Sequence, residues 1–148
     1  EGERRPSVDT EALLYIYAHM PGVNAIIHTH QAYATAVGLV ADELPVAVTT
    51  LANAAKGRVR VSPYASAASV EMGRAAVRYL DGSLAVILKH HGVVTVGDSV
   101  KQALYAAVYL EEAAKTYCIA CGMGKPALLN EEQVQEAIGV FKDYGQKS

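Results

Sequence analysis

The sequence predicts an α/β fold, a single sheet layered with helices. Three observations predict it. Segments with apolar residues at helical spacing alternate along the chain with short, β-branched apolar runs. The 148 residues are one domain's worth, so residues 1–148 are expected to share one core. A composition of 51% hydrophobic and 19% charged residues is that of an ordinary globular protein.

Each element follows from its local pattern. "TEALLYIYAHMPG" is a helix, with Leu13, Ile16, Tyr17 and Met20 at helical spacing and Pro21-Gly22 as its stop. Asp9 or Thr10 stands where an N-cap belongs. "VNAIIHTH" is a strand, and "QAYATAVGLVA" is a second helix. "LPVAVTT" and "RVRV" are short strands, the second punctuated by Pro63. "SAASVEMGRAAVRYLDG" is a helix capped by Ser66, with Val70, Ala76, Val77 and Leu80 as its apolar stripe. "SLAVILKHHGVVTVG" holds two strands around His91-Gly92. A long helix opens at Asp98 or Ser99 and closes at Gly122, and "NEEQVQEAIGVFKDYG" is a last helix capped by Asn130.

Bulk properties exclude several classes. A formal net charge of −2 gives no electrostatic case for nucleic acid or an anionic membrane surface. The apolar runs are too short to span a bilayer. The first ten residues, "EGERRPSVDT", are polar and carry no signal-peptide core. With two cysteines and no secretory signal, the expected compartment is the reducing cytoplasm. Cys118 and Cys121 form a Cys-x-x-Cys pair that could bind zinc or exchange thiols. Late in a helix, with no second pair, they read as small packing residues.

Histidines carry the chemical signal. Side chains alternate along a strand, so His28 and His30 share one face and Thr29 takes the other. Two such imidazoles can hold one divalent cation, with nitrogen ligands at about 2.0–2.1 Å suiting zinc. The alternative is a pair of half-buried histidines with backbone partners. A catalytic zinc usually needs a third protein ligand and an open position. His90 and His91 are both available for that place, and His19, near a helix end, is unrelated.

Three motifs in order then give a family likeness: Pro-Ser-x-acid at Pro6 to Asp9, His-x-His at His28 and His30, and His-Gly at His91 and Gly92 after an apolar strand. With the "SPYA" turn, Ser62 to Ala65, they make the chain resemble the class II aldolase/adducin family over nearly its whole length. The resemblance implies a three-layer α/β/α fold around a mostly antiparallel central sheet, and a homotetramer. It implies a metal held by His28, His30 and His91, with zinc as the expected cofactor and His90 as a neighbour. It gives Asp9 the catalytic carboxylate's place and Ser7 a share in phosphate binding. The implied reaction cleaves or epimerises a sugar phosphate through an enediolate that the metal stabilises. A carboxylate near the cation can move the proton once burial tunes its pKa.

Departures from the family pattern also matter. Val8 stands where the family usually has a second serine, and the resulting "VDT" leans toward the epimerase-like branch. A tyrosine that some members use as proton donor falls near Thr49, leaving Tyr144 as a substitute candidate. The family's phosphate loops lie mostly upstream of Pro-Ser. The domain is therefore expected to lack its N-terminal third, which would leave a sheet edge unpaired. Two other functions fit the scaffold: a different lyase such as a sugar-phosphate dehydratase, and an adducin-like interaction module. The intact histidine set argues against the module.

Overall fold

The computed structural model describes residues 3–140. Six helices and five strands alternate in it: α1 (Thr10–His19), β1 (Ala25–Thr29), α2 (Ala32–Val40), β2 (Glu43–Leu44), α3 (Thr49–Ala55), β3 (Val59–Ser62), α4 (Val70–Leu80), β4 (Ala85–Leu88), β5 (Gly92–Gly97), α5 (Val100–Met123) and α6 (Glu131–Val140). The strands form one sheet in the order β1-β5-β4-β3-β2.

Three layers result, as expected. Period-two alternation divides β4 cleanly. Ala85 and Ile87 join Ala34 and Val37 of α2, Leu51 of α3 and Leu110 of α5 in one buried cluster. Val86 and Leu88 join Ala12 and Ile16 of α1 and Met72, Ala76 and Leu80 of α4 in another. Helices therefore cover both faces, which is why all four residues of β4 are buried.

The sheet is mixed, which corrects the expectation of a mostly antiparallel one. β1–β5, β4–β5 and β2–β3 are antiparallel, while β3–β4 is parallel. The parallel pair follows from α4, a crossover helix that returns the chain to the end from which β3 began. Among the described residues β1 and β2 are the sheet's edges, and β2 is only two residues long.

Several local expectations change. "LPVAVTT" is not a strand: only Leu44 lies in β2, and Thr49 and Thr50 open α3. Tertiary packing overrides their β-propensity, because Leu51, Ala52 and Ala55 are fully buried. Ser69, not Ser66, caps α4, its hydroxyl accepting from the Met72 N–H at 3.3 Å. At α5 the Ser99 hydroxyl accepts from Gln102 N–H, and the Gln102 side chain accepts from Asp98 N–H. That helix runs past Gly122 and ends at Gly124. Asn130 caps α6 as expected, exchanging hydrogen bonds with Gln133 at 2.9 Å each. The remainder of that last helical segment, with Tyr144, lies outside the described residues. Among the described residues no helix is long and apolar enough to cross a membrane.

Candidate metal centre

Three elements bring the histidines together. β1 carries His28, and His30 follows one residue past its end. Antiparallel pairing sets His28 opposite Val94 and Thr29 opposite Val93. β4 and β5 form a hairpin in which Leu88 pairs with Gly92. The loop between them is Lys89, His90 and His91. His90 takes a left-handed backbone position, φ 61°, as the third residue of the Leu88–His91 turn, where a type II turn needs positive φ. The His91 N–H donates to the Leu88 carbonyl at 3.0 Å. His91 thus faces the β1 histidines. The exposed His90 ring sits edge-on to Tyr64, with ring centroids 6.2 Å apart.

The geometry joins the three predicted ligands. Ring centroids of His28 and His30 are 5.2 Å apart, His28 and His91 4.9 Å, and His30 and His91 5.0 Å. One nitrogen from each lies within 4.8 Å of the others. At His28, Nδ1 contacts the Val93 carbonyl oxygen at 2.8 Å. A carbonyl only accepts, so Nδ1 carries the proton and the Nε2 lone pair faces the other rings. A backbone partner that fixes the tautomer in this way is characteristic of metal-ligating histidine.

Unsatisfied atoms mark the same spot. His28 Nε2, His91 Nδ1 and Asp9 Oδ1 are buried with no hydrogen-bond partner in the protein. Buried polar atoms are normally paired, so orphans that converge need an explanation. A cation shared by the three histidines, whose nitrogens lie within 4.8 Å of one another, would give the orphaned His28 and His91 nitrogens a partner, and the three-nitrogen donor set suits one. Burial pushes the His91 imidazole below the ordinary histidine pKa. The charge of His28 adds to that effect, Asp9 opposes it, and His30 adds a smaller push. A lowered pKa keeps the ring neutral at pH 7, the form that can ligate.

Asp9 joins this group rather than capping α1. It holds the N-cap position, yet its side chain makes no cap hydrogen bond. The side chain is 10% exposed, and Oδ2 stands 3.6 Å from His28 Nε2, too far for a hydrogen bond. Ser7 is exposed, and its hydroxyl accepts from the Asp9 N–H at 3.4 Å, tightening the turn that delivers Asp9. Thr49 opens α3. Cys118 packs against the α2/α3/α5 core, and burial raises its pKa, with Cys121 and Glu111 adding to the effect. Such a thiol is protonated and inert. His19 is bound to its own helix, its ring 3.7 Å from that of Tyr15.

Gly92 has a role that its motif alone did not explain. A Cβ there would meet the Thr29 carbonyl oxygen at 2.4 Å and His30 Cδ2 at 2.8 Å. The absent side chain lets the start of β5 press against Thr29 and His30.

Comparison with known proteins follows the same lines. The model of the class II aldolase and adducin N-terminal domain matches residues 1–118. The chain is 33% identical over 147 residues to 5-deoxy-D-ribulose 1-phosphate aldolase of Bacillus thuringiensis, covering 99% of the chain and 68% of the relative. It is 30% identical over 144 residues to 5-methylthioribulose-1-phosphate/5-deoxyribulose-1-phosphate aldolase of Rhodospirillum rubrum, covering 97% of the chain and 65% of the relative. Among solved structures, an L-fuculose 1-phosphate aldolase superposes with a TM-score of 0.90 at 32% identity, over 96% of this chain and 66% of that one. The chain therefore spans about two thirds of the length of these relatives.

Proposed function

The chain belongs to the class II aldolase and adducin family, and from that premise we propose that it forms the metal-binding part of a sugar-phosphate aldolase. His28, His30 and His91 hold a divalent cation, zinc being the expected one. Asp9 is the acid/base carboxylate. The observation that carries the reading is the cluster of His28, His30 and His91 nitrogens within 4.8 Å, with His28 Nε2 and His91 Nδ1 buried and unsatisfied and the Asp9 carboxylate 3.6 Å from His28 Nε2.

Each residue contributes in a definable way. When bound, the cation supplies Lewis acidity to a substrate carbonyl and the hydroxyl next to it. His28, locked by Val93, presents one nitrogen in a fixed direction. Asp9, mostly shielded from water, can take a hydroxyl proton and return it to carbon after the carbon–carbon bond breaks. Ser7, beside Asp9, offers a hydroxyl to the substrate phosphate, with Arg4 and Arg5 just upstream. The named relatives are aldolases of phosphorylated ribuloses and fuculose. Those names favour cleavage over epimerisation and suggest a deoxyketose 1-phosphate as substrate. By family resemblance the working unit is a homotetramer of single domains in the cytoplasm.

The test is retro-aldol cleavage of 5-deoxyribulose 1-phosphate by metal-stripped and zinc-reloaded protein. Activity restored by zinc is expected. Stripped protein that takes up no zinc at neutral pH would overturn the reading.

A further inference from the structure

α2 starts two residues after His30, and nothing of its own caps it. Gln31 holds the N-cap position without a side-chain cap bond. The first N–H groups of a helix lack partners within it, and here another helix supplies them. The Glu111 carboxylate on α5 accepts from Tyr33 N–H through Oε1 and from Ala34 N–H through Oε2, both at 3.0 Å. One turn earlier on α5, the Ala107 carbonyl accepts from the Gln31 side-chain amide at 2.8 Å. One turn later, Lys115 Nζ stands 5.9 Å from the centre of the Tyr33 ring. Three successive turns of α5 thus hold residues 31–34.

The segment they hold follows His30 directly in the chain. β1 ends at Thr29, so His30 lies beyond the strand ladder. The ring of His28 is fixed by a carbonyl, and His91 is fixed by its hairpin. His30 is the exposed member of the three. A carboxylate at the positive end of a helix makes charge-assisted bonds that a neutral side chain does not match. From these contacts we infer that Glu111 is a positioning residue for the metal centre, setting where the His30 imidazole stands by holding the start of α2. This rests on the ligand reading proposed above. Among the described residues the hydrogen bonds of the Glu111 carboxylate go to the Tyr33 and Ala34 N–H groups, not to a histidine or to Asp9.

Glu111→Ala and Glu111→Gln test it in the full chain, with the exposed neighbour Glu112→Ala as control. Zinc affinity is read by competition with a chromophoric chelator, and ligand geometry by the visible spectrum of the cobalt(II) form. The imidazole proton resonances of the metal-free protein give a readout independent of metal. Glu111→Ala should weaken zinc binding 10- to 100-fold, the range for losing a group that orients a ligand. Glu111→Gln, which keeps one acceptor oxygen, should fall between, and Glu112→Ala should match wild type. The His30 resonance should move in Glu111→Ala while that of His28 stays. A Glu111→Ala protein that is less stable, yet binds zinc like wild type with an unmoved His30 resonance, would overturn the inference. Should wild type itself take up no zinc, the ligand reading fails. The metal-free His30 resonance then decides the positioning claim alone: a shift supports it and no shift overturns it.

Discussion

Replacing Gly92 by alanine isolates the close approach between β5 and the ligand segment. The added Cβ would lie 2.4 Å from the Thr29 carbonyl oxygen and 2.8 Å from His30 Cδ2, where ordinary contact begins at 3.4 Å. Relief requires the carbonyl to retreat by about 1 Å and the ring by about 0.6 Å. Metal–ligand distances tolerate only about 0.2 Å, so a shift of that size is felt directly by a bound cation. Overpacking of this kind costs about 1–3 kcal/mol of stability. Gly97→Ala is the matched control. At the other end of the same strand, its Cβ would meet the Ala103 nitrogen at 2.7 Å and the Ser99 oxygen at 2.9 Å, away from the histidines. Both variants should melt several degrees early by differential scanning fluorimetry. Only Gly92→Ala should lose zinc affinity, by about tenfold or more, in chelator competition. Equal zinc affinity in the two variants would refute the reasoning, since the clash would then be absorbed without moving His30.

Three further outcomes are expected. Asp9→Asn should cut turnover about a hundredfold or more while leaving zinc content intact, an effect of general acid/base size; its melting temperature should barely change, because the Asp9 side chain makes no cap hydrogen bond. His91→Ala should lose zinc by elemental analysis, whereas His90→Asn should keep it, because asparagine tolerates the left-handed turn position that His90 fills. Replacing Cys118 and Cys121 together by alanine should lower stability through lost packing of Cys118 and leave zinc content unchanged.

The features legible in the sequence were the local ones. Period-two alternation put His28 and His30 on one face, and the strand before His91 put a third imidazole at a strand end. What a local pattern could not reveal depends on distant partners. "LPVAVTT" has the composition of a strand, but the buried Leu51 and its neighbours hold its end as a helix. Ser66 was the expected cap, and the fold instead brings the Ser69 hydroxyl to the Met72 N–H. Asp9 looked equally suited to capping and to chemistry until its carboxylate was found turned toward His28. Glu111 carried no signal at all. It is one of two adjacent glutamates in an amphipathic helix, and its partners lie 77 and 78 positions away.

The edge position of β1 has a consequence for how the molecule comes apart. Among the described residues the strand is tied to the sheet by one ladder, that with β5. His28 and its carbonyl partner Val93 are separated by 65 positions, so forming that ladder closes a long loop. Chain-entropy models give a cross-link over such a span a worth on the order of 4 kcal/mol. A cation shared between β1 and the β4–β5 loop would be a cross-link of this kind, made without a covalent bond. Removing it would weaken the tie between β1 and the β4–β5 loop, while α1 stays held by its core contacts with α4. Proteolysis around β1 would then speed up while the β3–β4–β5 core stayed whole, and its rate would record whether the cation was present.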